Sequence, residues 1–300
     1  MRVLITGASG LIGKALHAAL NTEGHTVVHL VRRRKRDATD ILWDPAAGLI
    51  SISELENFDA VVHLAGENIA GGRWTEKRKE KIFQSREKGT RLLAESLARL
   101  QAPPRVLVSA SAIGYYGDRG SESLSETSSP GTDFLAEVCK AWEAATERAA
   151  ENGIRVVNVR TGIVLSTRGG ALKKMLFPFK MGVGGKVGSG EQYMSWISLA
   201  DQTRTLIHAI RTESLKGPIN AVAPSPVPNA VFTKALGKAV HRPTLVPMPA
   251  FAARWAFGEM ADALLLSSQR VIPARLLASG FFFKDREIEP TLTRIIKESL

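Results

Sequence analysis

Apolar positions in the first fifty residues fall into two alternating patterns. Val3-Leu4-Ile5 is a short continuous apolar run. Three glycines follow at Gly7, Gly10 and Gly13, and from Leu11 the apolar residues recur at Leu16, Ala19 and Leu20. A run and then a helical period predict strand, tight turn and helix. A second run, Thr26-Val27-Val28-His29-Leu30-Val31, arrives at the distance of a βαβ unit. Ile41-Leu42-Trp43-Asp44-Pro45 reads as a short strand ending at a turn that Asp44 caps. Asp59 to Leu64, Arg105 to Ser111 and Arg155 to Arg160 are further apolar runs of strand length. Between them lie helical patterns: one through Ser85, Arg86, Leu92, Leu93, Leu97 and Leu100, stopped by Pro103-Pro104, and one from Phe134 to Asn152, closed by Gly153. Strands that alternate with helices predict an α/β fold with a doubly wound parallel sheet.

After Leu165 the texture changes. Residues 168–190 are rich in glycine and basic side chains, with Lys173, Lys174 and Lys180 beside Met175, Phe177 and Phe179. Tyr193 to Ser198 reads as one short strand, Pro218 to Ala223 as another, and Asp201 leads into a helix through Leu206, Ala209 and Ile210. Phe251 to Leu266 reads as one apolar helix whose large side chains belong to a core. Gly280-Phe281-Phe282-Phe283 is strand-like, and a charged helix ends the chain. The expected division is a first lobe of residues 1–165, to which 194–224 return, and a smaller α/β substrate lobe of 166–193 and 225–300.

The glycine triplet brings in the first chemistry. A helix N-terminus presents unbonded N–H groups and positive potential, and glycines let the backbone approach a pyrophosphate with no Cβ in the way. The expected cradle is Gly7, Ser9, Gly10, Leu11, Ile12 and Gly13. The residue after the second strand of such a unit meets the adenosine ribose, an acid reading the 2′-hydroxyl of NAD and an arginine accommodating the 2′-phosphate of NADP. No Asp or Glu stands between Gly24 and Arg36, whereas Arg32 and Arg33 follow Val31 directly, which favours NADP. Leu64, Ala65 and Gly66, at the tip of the next buried strand, are expected to line the nicotinamide-side ribose and phosphates. Arg86, placed near a helix start, is expected to point to the phosphates. His63 sits mid-strand and reads as a satisfied core histidine. Ser109 and Ser111 end a parallel strand, where substrates bind.

Composition narrows the classes. The chain carries 44% hydrophobic and 23% charged residues over 300 positions, as a globular protein does. Its formal net charge of +11 is spread along the sequence, and no nucleic-acid-binding motif accompanies it. No apolar run is long enough for a membrane span, and the first strand is too short for a signal-peptide core. The lone cysteine, Cys139, excludes an internal disulfide. These features point to a cytoplasmic protein with a small-molecule substrate, without membrane or nucleic-acid partners or a metal.

Thr6-Gly7-x-x-Gly10-x-x-Gly13, Leu64-Ala65-Gly66, Ser109-x-Ser111, Tyr116-Gly117-Asp118, Lys140 and Trp196-Ile197-Ser198-x-x-Asp201 together resemble the extended short-chain dehydrogenase/reductases of the nucleotide-sugar epimerase type. Trp43-Asp44, Glu67-Asn68-Ile69, Ser85-Arg86, Trp142-Glu143, Pro178-Phe179 and Val271-Ile272-Pro273 are similar to an atypical NADP-binding epimerase subgroup that ends in a domain of unknown function, here about 249–297. The resemblance implies a Rossmann-type sheet and an oxidoreductase or epimerase acting on a small polar or nucleotide-linked substrate. It also implies pairing of two copies as a possible homodimer. Catalysis in that family uses a serine and a Tyr-x-x-x-Lys pair, the lysine also binding the cofactor ribose. By position these would be Ser111 and Lys140, but Ala136 stands where the tyrosine belongs. Tyr116 is the candidate substitute, with Tyr115, Glu137 and Cys139 behind it. The alternative is a non-catalytic NADP-binding module.

Overall fold

The computed structural model describes residues 1–32 and 39–299. Its centre is an eight-stranded sheet built from β1 (Arg2–Thr6), β2 (Thr26–Val31), β3 (Ile41–Asp44), β4 (Leu49–Ile50), β5 (Ala60–His63), β6 (Val106–Ala112), β7 (Arg155–Thr161) and β8 (Gly217–Ala221). In space the order is β8-β7-β6-β5-β1-β2-β3-β4, and every pair is parallel except β3 with β4. The chain builds outward from β1 in one direction and then crosses to its other side at β5. This reversal opens a crevice at the carboxyl ends of β1 and β5, the usual ligand position in such sheets.

Both faces of the sheet are covered, which is why its strands read as unbroken apolar runs. Val3 and Ile5 point to one face, where they meet Leu16 and Leu20 of α1 (Leu11–Thr22). Leu4 points to the other, where it meets Leu93, Ala94 and Leu97 of α2 (Glu76–Leu97). Helix α3 (Phe134–Ala144) starts at Asp133, whose carboxylate accepts from the Ala136 N–H at 2.9 Å. A third apolar cluster lies under α4 (Gly170–Lys180), α6 (Asn229–Ala239) and α7 (Ile288–Lys297), through Leu172, Phe179, Trp196, Phe232, Leu236, Leu292 and Ile296. Helix α5 (Leu199–Arg211) sends Leu206, Ile207 and Ile210 into the first of these cores.

Three expectations about the C-terminal half are corrected. The stretch 193–198 is two pieces. Tyr193–Met194 pairs with Val227–Pro228, and Trp196–Ser198 pairs with Ile163–Leu165. Between them the Ser195 hydroxyl donates to the Gln269 carbonyl at 2.7 Å and accepts from the Val271 N–H at 2.9 Å, which ends the first pairing. Residues 251–266 are not one core helix. The chain forms Ala250–Phe257, turns at Gly258 with a φ of 62°, and continues as Glu259–Ala261 and a π-helical turn. Phe251 and Trp255 are 74% and 82% exposed, and Ala253 is the side chain that packs. Residues 280–283 form no strand. Phe281 and Phe283 insert edge-to-face into the core beside α1 and α5.

The C-terminal region is stitched to the sheet by polar bonds. Arg270–Val271 adds a parallel strand to Ser123–Leu124, and the Asn220 amide donates to the Ile272 carbonyl at 3.0 Å. Asp201, fully buried in the first turn of α5, accepts from the backbone N–H groups of Lys284 (3.2 Å) and Asp285 (2.8 Å) and from Arg204 (2.7 Å). Asp201→Ala leaves these donors without an acceptor. It is expected to cost roughly 2–4 kcal/mol, measured by urea denaturation, as loss of a buried hydrogen-bonded charge does.

Candidate active site at the carboxyl ends of the strands

The turn from β1 into α1 lies against the tip of β5. Gly7 has a φ of 70°, and a Cβ there would stand 2.7 Å from the Leu64 carbonyl group. A Cβ on Gly13 would stand 2.4 Å from the Gly7 oxygen. Both glycines are therefore required by contact, Gly7 by backbone sign as well. The Gly10 N–H closes the turn onto the Gly7 carbonyl at 3.0 Å. Helix α1 begins next with no side-chain cap and no acid in its first turn. Its unbonded N–H groups and positive end are left for an external anion.

Thr6, His63 and Thr90 hold the two tips together. The Thr6 hydroxyl accepts from the Leu64 and Ala65 N–H groups, each at 3.1 Å, so its own proton goes to His63 Nδ1 at 2.8 Å. His63 must then carry its proton on Nε2 and donate it to Thr90 at 3.0 Å. Burial pushes the His63 pKa down to about 4, and the neutral ring is the one this bonding needs.

At its carboxyl end, β2 stops at Val31 and Arg32 follows it, exposed. Arg33 lies outside the described residues. Asp40 is buried beside His29, with Oδ1 3.3 Å from Nδ1. Arg86 is corrected in place. Helix α2 begins at Glu76, capped by the Thr75 hydroxyl, so Arg86 sits mid-helix. Its guanidinium carbon lies 3.4 Å from where a Gly66 Cβ would be and 4.9 Å from the Trp142 ring centroid, and Nη1 donates to the Ile82 carbonyl at 3.1 Å. Burial lowers its pKa, with the Glu67 carboxylate opposing. Ser85 accepts the Glu67 N–H at 3.1 Å and fixes the loop after Gly66.

Ser111 is 3% exposed near the end of β6, and its hydroxyl donates to Glu143 Oε1 at 2.7 Å. Register places Ser111 opposite Arg160 on β7. Arg160 grips the same carboxylate with two arms, Nε to Oε1 and Nη2 to Oε2, both 2.8 Å. Its Nη1 donates to the Tyr116 hydroxyl at 3.1 Å, and its guanidinium carbon lies 3.4 Å from the Tyr115 ring centroid. Burial works against the Arg160 charge, but the bonds to Glu143 outweigh it and its pKa is raised.

The remaining catalytic candidates are turned elsewhere. Tyr116 is fully buried and donates to Asn220 at 2.7 Å. Burial raises its pKa to about 12, against the opposing pull of Arg160. It is placed as a structural tyrosine, with no open face from which to hand a proton to a substrate. Lys140 is ion-paired with Glu137 one turn back on α3. The α3 side chains that meet the end of β6 are Cys139, whose thiol donates to the Ala112 carbonyl at 3.6 Å, and Glu143. Burial and the Glu143 charge push the Cys139 thiol up to about 12, so it stays protonated. Glu143 and Arg160 are the members that sequence reasoning missed. The available signals were Arg160, a charge one residue before the end of a strand that reads as buried, and Glu143, which stands among the residues that carry the family resemblance.

The sequence profile of the NAD dependent epimerase/dehydratase family matches residues 3–222, and that of a domain of unknown function matches 248–295. An epimerase family protein of Mycobacterium bovis is 46% identical over 290 residues, covering 97% of this chain and 96% of its own length. Human epimerase family protein SDR39U1 is 38% identical over 299 residues, covering 99% of this chain and all of its own. The crystal structure of human SDR39U1 with NADPH superposes with a TM-score of 0.91 at 37% identity, over 99% of both chains.

Above about pH 6.5 the His63 of both folded and unfolded chains is neutral. Between there and its folded pKa of about 4, the unfolded chain binds more protons, so stability is lost as the pH is lowered through that window. The His63 share of this loss is about 3 kcal/mol. In urea melts from neutral pH downward, His63→Gln is expected to flatten the acid slope by that share.

Proposed function

The chain belongs to the NAD dependent epimerase/dehydratase family, and from that premise we propose that it is an NADP(H)-dependent oxidoreductase or epimerase acting on a small polar or nucleotide-linked substrate. The carrying observation is the cradle at Gly7, Gly10 and Gly13, where two would-be Cβ atoms collide with backbone and the N-terminus of α1 is uncapped. The residues fit a dinucleotide. The backbone from Ser9 to Gly13 holds the pyrophosphate, and Arg32, with Arg33, holds the ribose phosphate. Leu64, Ala65 and Gly66 line the nicotinamide half, with Arg86 beside Gly66. The NADPH bound by human SDR39U1 supports the choice of cofactor. When bound, the nicotinamide supplies a hydride donor or acceptor. Ser111, at the strand tip, meets the oxygen of the substrate carbon that gains or loses the hydride.

A second reading, a module that holds NADP(H) without turning it over, draws on Ala136 in the tyrosine position and on the ion pair between Lys140 and Glu137. Turnover of NADPH with a carbonyl panel, abolished by Ser111→Ala, supports the enzyme. Tight NADPH uptake with no turnover supports the module.

Arg32→Ala, alone and with Arg33→Ala, tests the cofactor. Losing a charge-assisted bond costs on the order of 1.5–3 kcal/mol, so NADPH affinity in a fluorescence titration is expected to fall about tenfold or more. NADH affinity should hold within about twofold. Equal losses for both cofactors would remove the phosphate-reading role.

A further inference from the structure

We propose that Glu143, held by Arg160, is the proton acceptor behind Ser111, so that a Ser111–Glu143 relay does the work of the tyrosine missing at position 136. The proposal rests on the hydride-transfer reading above and adds to it the path of the proton. Three elements deliver the parts: Ser111 from β6, Glu143 from α3 and Arg160 from β7.

Hydrogen-bond direction carries the argument. The Ser111 hydroxyl has one proton, and its 2.7 Å bond commits that proton to Glu143. The lone pairs of Ser111 are then left to accept from a substrate hydroxyl. Glu143 is fixed by both arms of Arg160, and Arg160 by Tyr116 and Tyr115. The carboxylate therefore has one defined position, and its modest exposure of 14% gives an exit to water. Among the described residues, several neighbouring candidates are engaged elsewhere. Ala136 carries no proton, Cys139 faces the Ala112 carbonyl, Lys140 faces Glu137, and Tyr116 is committed to Asn220.

The step balances in the oxidative direction. The substrate O–H proton passes to Ser111 Oγ as the serine's own proton passes to Glu143. The carbon-bound hydrogen leaves with its electron pair for the nicotinamide of NADP⁺, the C=O bond forms, and Glu143 later releases its proton to water. Reduction reverses each transfer, with protonated Glu143 as the source.

An isolated structural ion pair makes different predictions from a relay. The probes are phenanthrenequinone and glyceraldehyde with NADPH, and UDP-glucose with NADP⁺. Glu143→Gln and Ser111→Ala are each expected to lower kcat about a hundredfold. KM for the cofactor should stay within about twofold, and Glu143→Asp recovers part of kcat. The melting temperature of Ser111→Ala should stay close to wild type, whereas Glu143→Gln lowers it by taking the carboxylate from buried Arg160. The groups facing Glu143 are Ser111 on β6, Arg160 on β7 and Cys139 on its own helix. In infrared spectra of the NADPH complex in acid, wild type minus Glu143→Gln is expected to leave one protonated-carboxyl band, and that band should be displaced in Ser111→Ala. Glu143→Gln with wild-type turnover, or an infrared band indifferent to Ser111→Ala, overturns the relay and leaves the hydride-transfer reading standing. Wild-type protein that binds NADPH and turns over none of the three probes removes the hydride-transfer reading, and the relay with it.

Discussion

The crevice depends on the contact between the first turn and the tip of β5. Gly7 touches the Leu64 carbonyl group, and the Thr6 hydroxyl bonds the Leu64 and Ala65 N–H groups, so two parallel strands end in one fixed step. Everything at the crevice is measured from that step. It sets where α1 starts, how far Gly66 projects and how near Arg86 comes to it. The histidine beneath is neutral because burial disfavours its charge, and a threonine with both lone pairs in use has only a proton to offer it. A small set of compulsory contacts between neighbouring strand tips thus shapes a surface several residues wide.

The strands of the sheet were legible because both faces are buried, and continuous apolar runs follow from that. The glycine cradle was legible because a positive φ and a forbidden Cβ leave few residue choices. Orientation about a helix axis was the harder matter. One residue along α3 is a turn of about 100°. Carried over by position, Lys140 was expected at the catalytic face, and the residues that meet β6 are Cys139 and Glu143. Likewise Phe251 and Trp255 carry the composition of a core, yet Ala253 is the side their short helix buries. Pattern reports that a segment is apolar; which face finds a partner depends on distant chain.

Arg160 shows how one charge in a strand organises its surroundings. A buried guanidinium is costly unless its donors are met, and here they are met by a carboxylate, a phenol and an aromatic face drawn from other elements. Tyr116 passes the chain of bonds on to Asn220, Asn220 to the Ile272 carbonyl, and Glu126 ties the backbone of Asn220 to that of Arg275. The candidate serine therefore sits at one end of a polar path that runs to the C-terminal region.

That path has a consequence for the order in which the protein is made. Ser268 bonds Asp118 from 150 residues downstream, and the partners of Asn220 and Glu126 near residue 272 emerge from the ribosome later still. The glycine turn and first two strands precede the far wall in the chain, and that wall is fastened only once residues 268–275 have emerged. Contacts of such sequence separation form slowly, so the dinucleotide crevice is the early half of vectorial folding and the serine's supporting wall is the late one.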